Sequence, residues 1–270
     1  MHSPPQSGFD GDFSYRFYED LLSRSSERFQ LLPLRDFAPP QPPGRPRLYL
    51  RHDIDLCLRS AHRMAEVEAR MGVSSTYMFI PTSPLYDITS PDGMATLRGV
   101  QDLGHEVAIH FDVATSGIAN VEDRGAVLDA IDDQCGIISD VTGSPVASVS
   151  FHRPLAQFLR GGDYLRGRVN AYSQTLMTFY RSDSGGIWRA GNPMKAEFEG
   201  APAQLLTHPI WWDEGHQCPP ERLEAFFQSS TRCMDPAALA DFDRLLGETV
   251  PRVRRQGLND CRDPNEPALA

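Results

Sequence analysis

Cysteine is scarce and unpatterned in this 270-residue sequence. Cys57, Cys135, Cys218, Cys233 and Cys261 are odd in number and form no CxxC pair, so neither a disulfide framework nor a cysteine zinc site is indicated. Basic excess is missing too. Lys and Arg number 26 against 36 Asp and Glu, a net charge of −10, which argues against a nucleic-acid backbone or an anionic membrane as the main partner. No apolar run is long enough to span a bilayer. The opening MHSPPQSGFDGDF lacks a basic region followed by an apolar one, so the expectation is a cytoplasmic chain. There is no internal repeat, and nothing in the sequence sets the oligomeric state.

What is present is a regular alternation of strand and helix signals. LYLRHDID (Leu48–Asp55) is an apolar run ending in a histidine and two aspartates, which reads as a buried strand with its polar groups at a sheet's carboxyl end. Leu58, Ala61, Met64, Ala65 and Met71 keep helical spacing ahead of Gly72, which predicts an amphipathic helix over about 56–71. STYMFI (Ser75–Ile80) follows as a strand, then a helix over about 93–103, the strand HEVAIHFD, a long helix over about 121–141 stopped by Gly143, and the strand VASVSFHRP. Further strands are expected in TFYRSDSGGIW (Thr178–Trp188) and AQLLTHPIWW (Ala203–Trp212), and a closing helix after Asp235-Pro236. Such βα units imply a mainly parallel sheet or barrel with helices outside. Ahead of them, Phe13–Arg28 reads as a short helix and Ala38–Arg47 as a stiff proline-rich connector.

The strand exits collect the chemistry: Asp53 and Asp55, His110 and Asp112, His152 and Arg153, Asp183, and His208. Strand alternation puts Asp53 and Asp55 on one face and His52 on the other. Two carboxylates in one small volume are costly unless a cation, a proton or an arginine compensates. Mixed carboxylate and imidazole donors suit a divalent ion such as Zn²⁺ with a position left to water. A metal-bound water beside a carboxylate base is equipment for amide or ester hydrolysis. Any one such aspartate is more often a turn or cap residue than a ligand; the convergence of several points to a site. Trp188, Trp211, Trp212 and Tyr180 near the same exits suit stacking on a sugar ring, or serve as core.

The ordered motifs RHDID, GHEVAIHFD, SFHRP, DSGGIW and LLTHP resemble those of the polysaccharide deacetylases of the NodB-homology, carbohydrate-esterase type, over about residues 48–212. The resemblance implies a distorted parallel (β/α) barrel at 48–257, with an N-terminal extension at 1–47 and a flexible tail at 258–270. It also implies a divalent metal ion, Zn by choice, and a metal-dependent N-deacetylase. Residue by residue it makes Asp53 the base, Asp55 and His110 metal ligands, Arg153 the orienter of the base, His208 the general acid, Asp183 the orienter of His208 and Trp188 a wall of the site. One position departs from the pattern: where the family has a second metal histidine, this chain has Ala114. His152 is the first candidate to replace it and Asp112 the second. The expected substrate is a soluble amino sugar or sugar-containing metabolite. The alternatives are a cyclic amide or ureide on the same fold, and a degenerate carbohydrate-binding or scaffold protein.

Overall fold

In the computed structural model, which describes residues 12–39, 44–188, 191–193 and 203–230, the LYLRHDID run lies at the middle of the sheet. Strand β1 (Gln30–Leu32) pairs in parallel with the first half of β2 (Arg47–Ile54). The second half of the same β2 edge pairs with β3 (Thr76–Phe79). Across β3 the sheet continues through β4 (Glu106–Phe111) and β5 (Ser148–Phe151) to a small antiparallel hairpin, β6 (Tyr164–Leu165) and β7 (Arg168–Asn170). On the other edge, β2 pairs with β9 (Ala203–Thr207), which pairs with β8 (Phe179–Ser182). Every pairing except that of β6 with β7 is parallel. The parallel α/β architecture expected from the sequence is therefore borne out. The closing helix expected after Asp235 lies outside the described residues.

The sheet is curled. Strands β2 and β5 are separated by β3 and β4, which in a flat sheet would hold them about 14 Å apart. Yet Ser150 Oγ on β5 lies 3.4 Å from Asp53 Oδ1 on β2. Residues of alternate parity on each strand therefore point into a half-barrel interior. On that interior face the register places Arg51 and Asp53 of β2, Met78 of β3, Ala108 and His110 of β4, and Ser148 and Ser150 of β5.

Four helices cover the outside in chain order: α1 (Tyr15–Arg28), α2 (Leu58–Arg70), α3 (Pro91–Asp102) and α4 (Arg124–Thr142), with α5 (Pro219–Ser230) beyond β9. Their ends follow local chemistry. Ser90 Oγ accepts from Gly93 N with Pro91 in the first turn, so α3 starts two residues earlier than the apolar spacing predicts. Gly143 ends α4 at φ 69°, a left-handed conformation that costs glycine nothing. The segment expected as an extension belongs to the barrel's own core: Tyr18, Leu21, Leu22, Phe29, Leu34 and Phe37 are all buried in it. The 3-10 turn Leu34–Asp36 closes the amino end of the barrel, with Leu34 N donating to Thr76 Oγ1 and Arg35 N to Glu106 Oε2.

The helix layer is fastened to the outer face of β2 by one carboxylate. Glu68 of α2 is fully buried and accepts from Tyr18 Oη (2.6 Å), Tyr77 Oη (2.7 Å) and Ser75 Oγ (2.5 Å). His52, on the opposite face of β2 from Asp53, bridges Glu68 (2.9 Å) and Thr207 Oγ1 of β9 (2.6 Å). Burial works against the charge of Glu68, but His52 and the hydrogen bonds outweigh it and hold the carboxyl down at about 2. A depressed carboxylate stabilises the fold above its ordinary titration range and loses that contribution as pH falls through its folded value. The protein is thus expected to lose stability between about pH 4.5 and about pH 2 as Glu68 takes up its proton. Glu68→Ala is expected to cost about 3–5 kcal/mol at neutral pH, since it strands buried donors around the site of a lost charge. Urea unfolding at pH 7 and across the acid range checks this, and a variant as stable as the wild type would refute the clamp.

Candidate active site

The exits of β2, β4, β5 and β9 bring their polar residues together as the sequence alternation predicts. Asp55 Oδ1 lies 3.2 Å from His110 Nε2 and 3.2 Å from His152 Nδ1, and the two imidazole rings stand nearly perpendicular at 89°. One donor atom from each of Asp55, His110 and His152 falls within 4.8 Å of the others. A carboxylate and two imidazoles form a donor set suited to a divalent ion of the Zn²⁺ or Co²⁺ kind. His110 is turned toward the cluster by Ser150, whose hydroxyl lies 2.6 Å from Nδ1 and leaves Nε2 to face Asp55. Asp112 is not in the cluster: its Oδ1 accepts from Ala114 N at 3.0 Å and shapes the turn after β4.

Two further groups flank these donors. Asp53 sits one strand step below Asp55, 3.6 Å from His110 Nδ1, with 2 % of its side chain exposed. Burial pushes its carboxyl up, but Arg51 and then His110 outweigh burial and hold it below the usual carboxylate range. Opposite, His208 Nε2 is 3.8 Å from Asp55 Oδ2, and its Nδ1 is 2.6 Å from Asp183 Oδ1. Burial disfavours the imidazolium of His208, yet the Asp183 charge and hydrogen bond prevail and push it up to about 9. Asp183 is fully buried and satisfied: it accepts from His208 N and from Trp212 Nε1 (2.9 Å) as well as from the His208 ring. At Asp55 burial again opposes ionisation, and His152 followed by the His110 hydrogen bond drives its carboxyl well below the ordinary range.

The arginine is a correction. Arg153, expected to orient Asp53, is exposed, and no hydrogen bond or ion pair joins it to Asp53. That contact is made by Arg51, two residues before Asp53 on the same strand face, through Nε to Oδ1 (2.8 Å) and Nη2 to Oδ2 (2.6 Å). The signal was readable: a strand's i and i+2 side chains share a face, so an arginine within an apolar run was already aimed at the aspartates.

The tryptophans are the second correction. Trp212 is fully buried, with its ring against Tyr18 and Phe13, and its indole N–H holds Asp183, so it has no face to offer a sugar. Trp211 is buried as well. Trp188 is half-buried and stacks on Phe13 with 5.9 Å between centroids. Trp188 and Trp212 pack on Phe13 at the start of α1, and Trp212 also meets Phe17 and Tyr18. Trp212 reaches the His208 side of the cluster through its bond to Asp183.

No family model matches the sequence, and no curated protein matches it. Among solved structures the chain is similar to the peptidoglycan deacetylase PdaC from Bacillus subtilis, with 15% identity over 80% of this chain and 99% of that one, at a TM-score of 0.43. It is similar to the catalytic domain of a peptidoglycan N-acetylglucosamine deacetylase from Eubacterium rectale, with 15% identity over 74% and 91% of the two chains, TM-score 0.42. A CE4-family pseudoenzyme from Bacillus anthracis matches at 12% identity, TM-score 0.41, over 71% of this chain. The chain spans only 62% of the pseudoenzyme's length.

Titration of the purified protein with Zn²⁺ or Co²⁺ is expected to show one site. His152→Ala should abolish it, whereas Asp112→Ala should bind like the wild type. Ser150→Ala is expected to weaken binding about 10–100-fold by freeing the His110 ring. Wild-type affinity in His152→Ala would remove His152 from the ligand set.

Proposed function

We propose that the protein is a metal-dependent hydrolase that removes an N-acetyl group from an amino sugar or sugar-containing metabolite. One observation carries this reading: a three-donor cluster of Asp55, His110 and His152 is flanked on one side by Asp53 and on the other by His208. A ligand-binding module needs no separately buttressed carboxylate and imidazole on either side of such a cluster.

Asp55, His110 and His152 would hold a divalent ion, which would supply Lewis acidity toward the amide carbonyl and lower the pKa of a water. Asp53, buried and ionised, accepts a proton from the attacking water as its oxygen bonds to the carbonyl carbon. His208, kept protonated at neutral pH by Asp183, donates its proton to the nitrogen as the C–N bond breaks. Acetate and the free amine are the products, and the two groups exchange protons with solvent to reset. Ser150 and Asp183 hold the rings of His110 and His208 in the orientations that these roles need. The protons and the bonds balance without any redox partner.

Acetate release from a panel of N-acetylated amino sugars, nucleotide sugars, peptidoglycan, acetylated xylan and the activated ester 4-nitrophenyl acetate tests this directly. Turnover is expected with the soluble N-acetyl sugars, and it should stop on chelation and return with Zn²⁺. Asp53→Asn is expected to lower kcat by about 10²–10⁴-fold while still binding metal. Turnover restricted to long polymers would move the substrate, and wild-type turnover in Asp53→Asn would remove the base.

A further inference from the structure

The geometry points to Arg51 as the positioning residue of the site: a guanidinium on the base's own strand that sets the plane of the Asp53 carboxylate. This assignment rests on the hydrolase reading above. Arg51 grips both oxygens of Asp53 in a fork, Nε to Oδ1 and Nη2 to Oδ2. Two parallel bonds to a planar acceptor fix its rotation about the Cβ–Cγ bond, which a point charge does not do.

Arg51 is itself held. It has no exposed surface, Nη2 also reaches Tyr172 Oη (3.1 Å), and Nη1 lies 3.4 Å from Gln204 Oε1. The Tyr172 ring faces its guanidinium at 4.7 Å. Gln204 is locked in turn by donating to the Ala171 carbonyl at 3.0 Å. The chain from Ala171 to Gln204 to Arg51 to Asp53 is thus continuous and buried.

Each carboxylate oxygen keeps a second lone pair after the fork forms. Ser150 Oγ is 3.4 Å from Oδ1, and Oδ2 is 3.6 Å from His110 Nδ1. The fork comes from the same strand and leaves the remaining acceptor capacity of Asp53 toward Ser150 and the Nδ1 edge of His110, whose Nε2 faces Asp55. A merely charge-neutralising arginine would not need both oxygens, and a buried ion pair is a poor way to gain stability.

The test is a double-mutant cycle on the full chain loaded with Zn²⁺, with 4-nitrophenyl acetate as the probe. Arg51→Met is expected to lower kcat on the order of 10²–10³-fold with KM and Zn²⁺ affinity within about threefold of the wild type. Arg51→Lys keeps the charge but not the fork and is expected to lose at least about tenfold in kcat. In the Asp53→Asn background, Arg51→Met should cost nothing further, because it acts through Asp53. Arg153→Met is expected to lose less than any Arg51 variant.

Thermal melts of the four proteins in the cycle guard against misfolding. Arg51→Met alone should melt lowest, since it leaves a buried carboxylate unpaired, and Arg51→Met/Asp53→Asn should recover toward the wild type. Losses in kcat that multiply across the cycle, or wild-type kcat in Arg51→Lys, overturn the assignment. A wild type that leaves both this probe and the N-acetyl sugars untouched overturns the hydrolase reading instead, and the melting cycle then reports the Arg51–Asp53 pair on its own.

Discussion

Two carboxylates two residues apart on one face of a buried strand form the constraint that the rest of this structure answers. Asp53 is nearly dry and Asp55 is partly open to solvent. Left alone, two like charges at that spacing would force one of them to take up a proton. The protein separates their problems along the strand axis. Arg51 compensates Asp53 from the interior, while His110 and His152 surround Asp55 at the mouth. The strand that carries the acids also carries the cation that makes the inner one tolerable. The curl of the sheet then brings β4 and β5 close enough to serve the outer one.

The same strand is fastened on its other face. His52 lies between Glu68 of α2 and Thr207 of β9, so the residue before Asp53 is tied to the helix layer and to the strand that presents His208. Each face of β2 is thus committed to a polar network, one inward and one outward. A displacement of β2 along its axis would break both. Buried polar networks of this kind specify register when every member is satisfied. Glu68, with both its oxygens engaged, meets that condition.

Much of this was legible in the sequence. The strand and helix order through β5, the shared face of Asp53 and Asp55, and the opposite face of His52 all follow from periods of 2 and 3.6. The donors at strand exits followed from topology. The β6–β7 hairpin was not legible because its strands are two and three residues long and its turn places Arg166 at φ 47°, a position where sequence rules look for Asn or Gly. Arg166 is held there by ion pairs to Asp129 and Asp132 of α4, a tertiary contact that local propensity does not see. The tryptophans misled for a related reason. Proximity to the site in sequence says nothing about which side of the site a ring occupies, and here the side was decided by Phe13 and α1.

The end of β5 and the interior face of β2 meet around the two carboxylates. The backbone of His152 extends the β4–β5 ladder, its N–H donating to the Phe111 carbonyl at 2.9 Å. Neighbouring side chains on an extended segment point to opposite sides. His152, just past the end of β5, turns inward to meet Asp55, and the next residue, Arg153, is exposed. The clustered donors come from the ends of β2, β4 and β5, and the guanidinium that grips Asp53 comes from β2 itself, two residues before it. The parity of β2 sets Arg51 and Asp53 on one face, so the buried carboxylate finds its cation on its own strand.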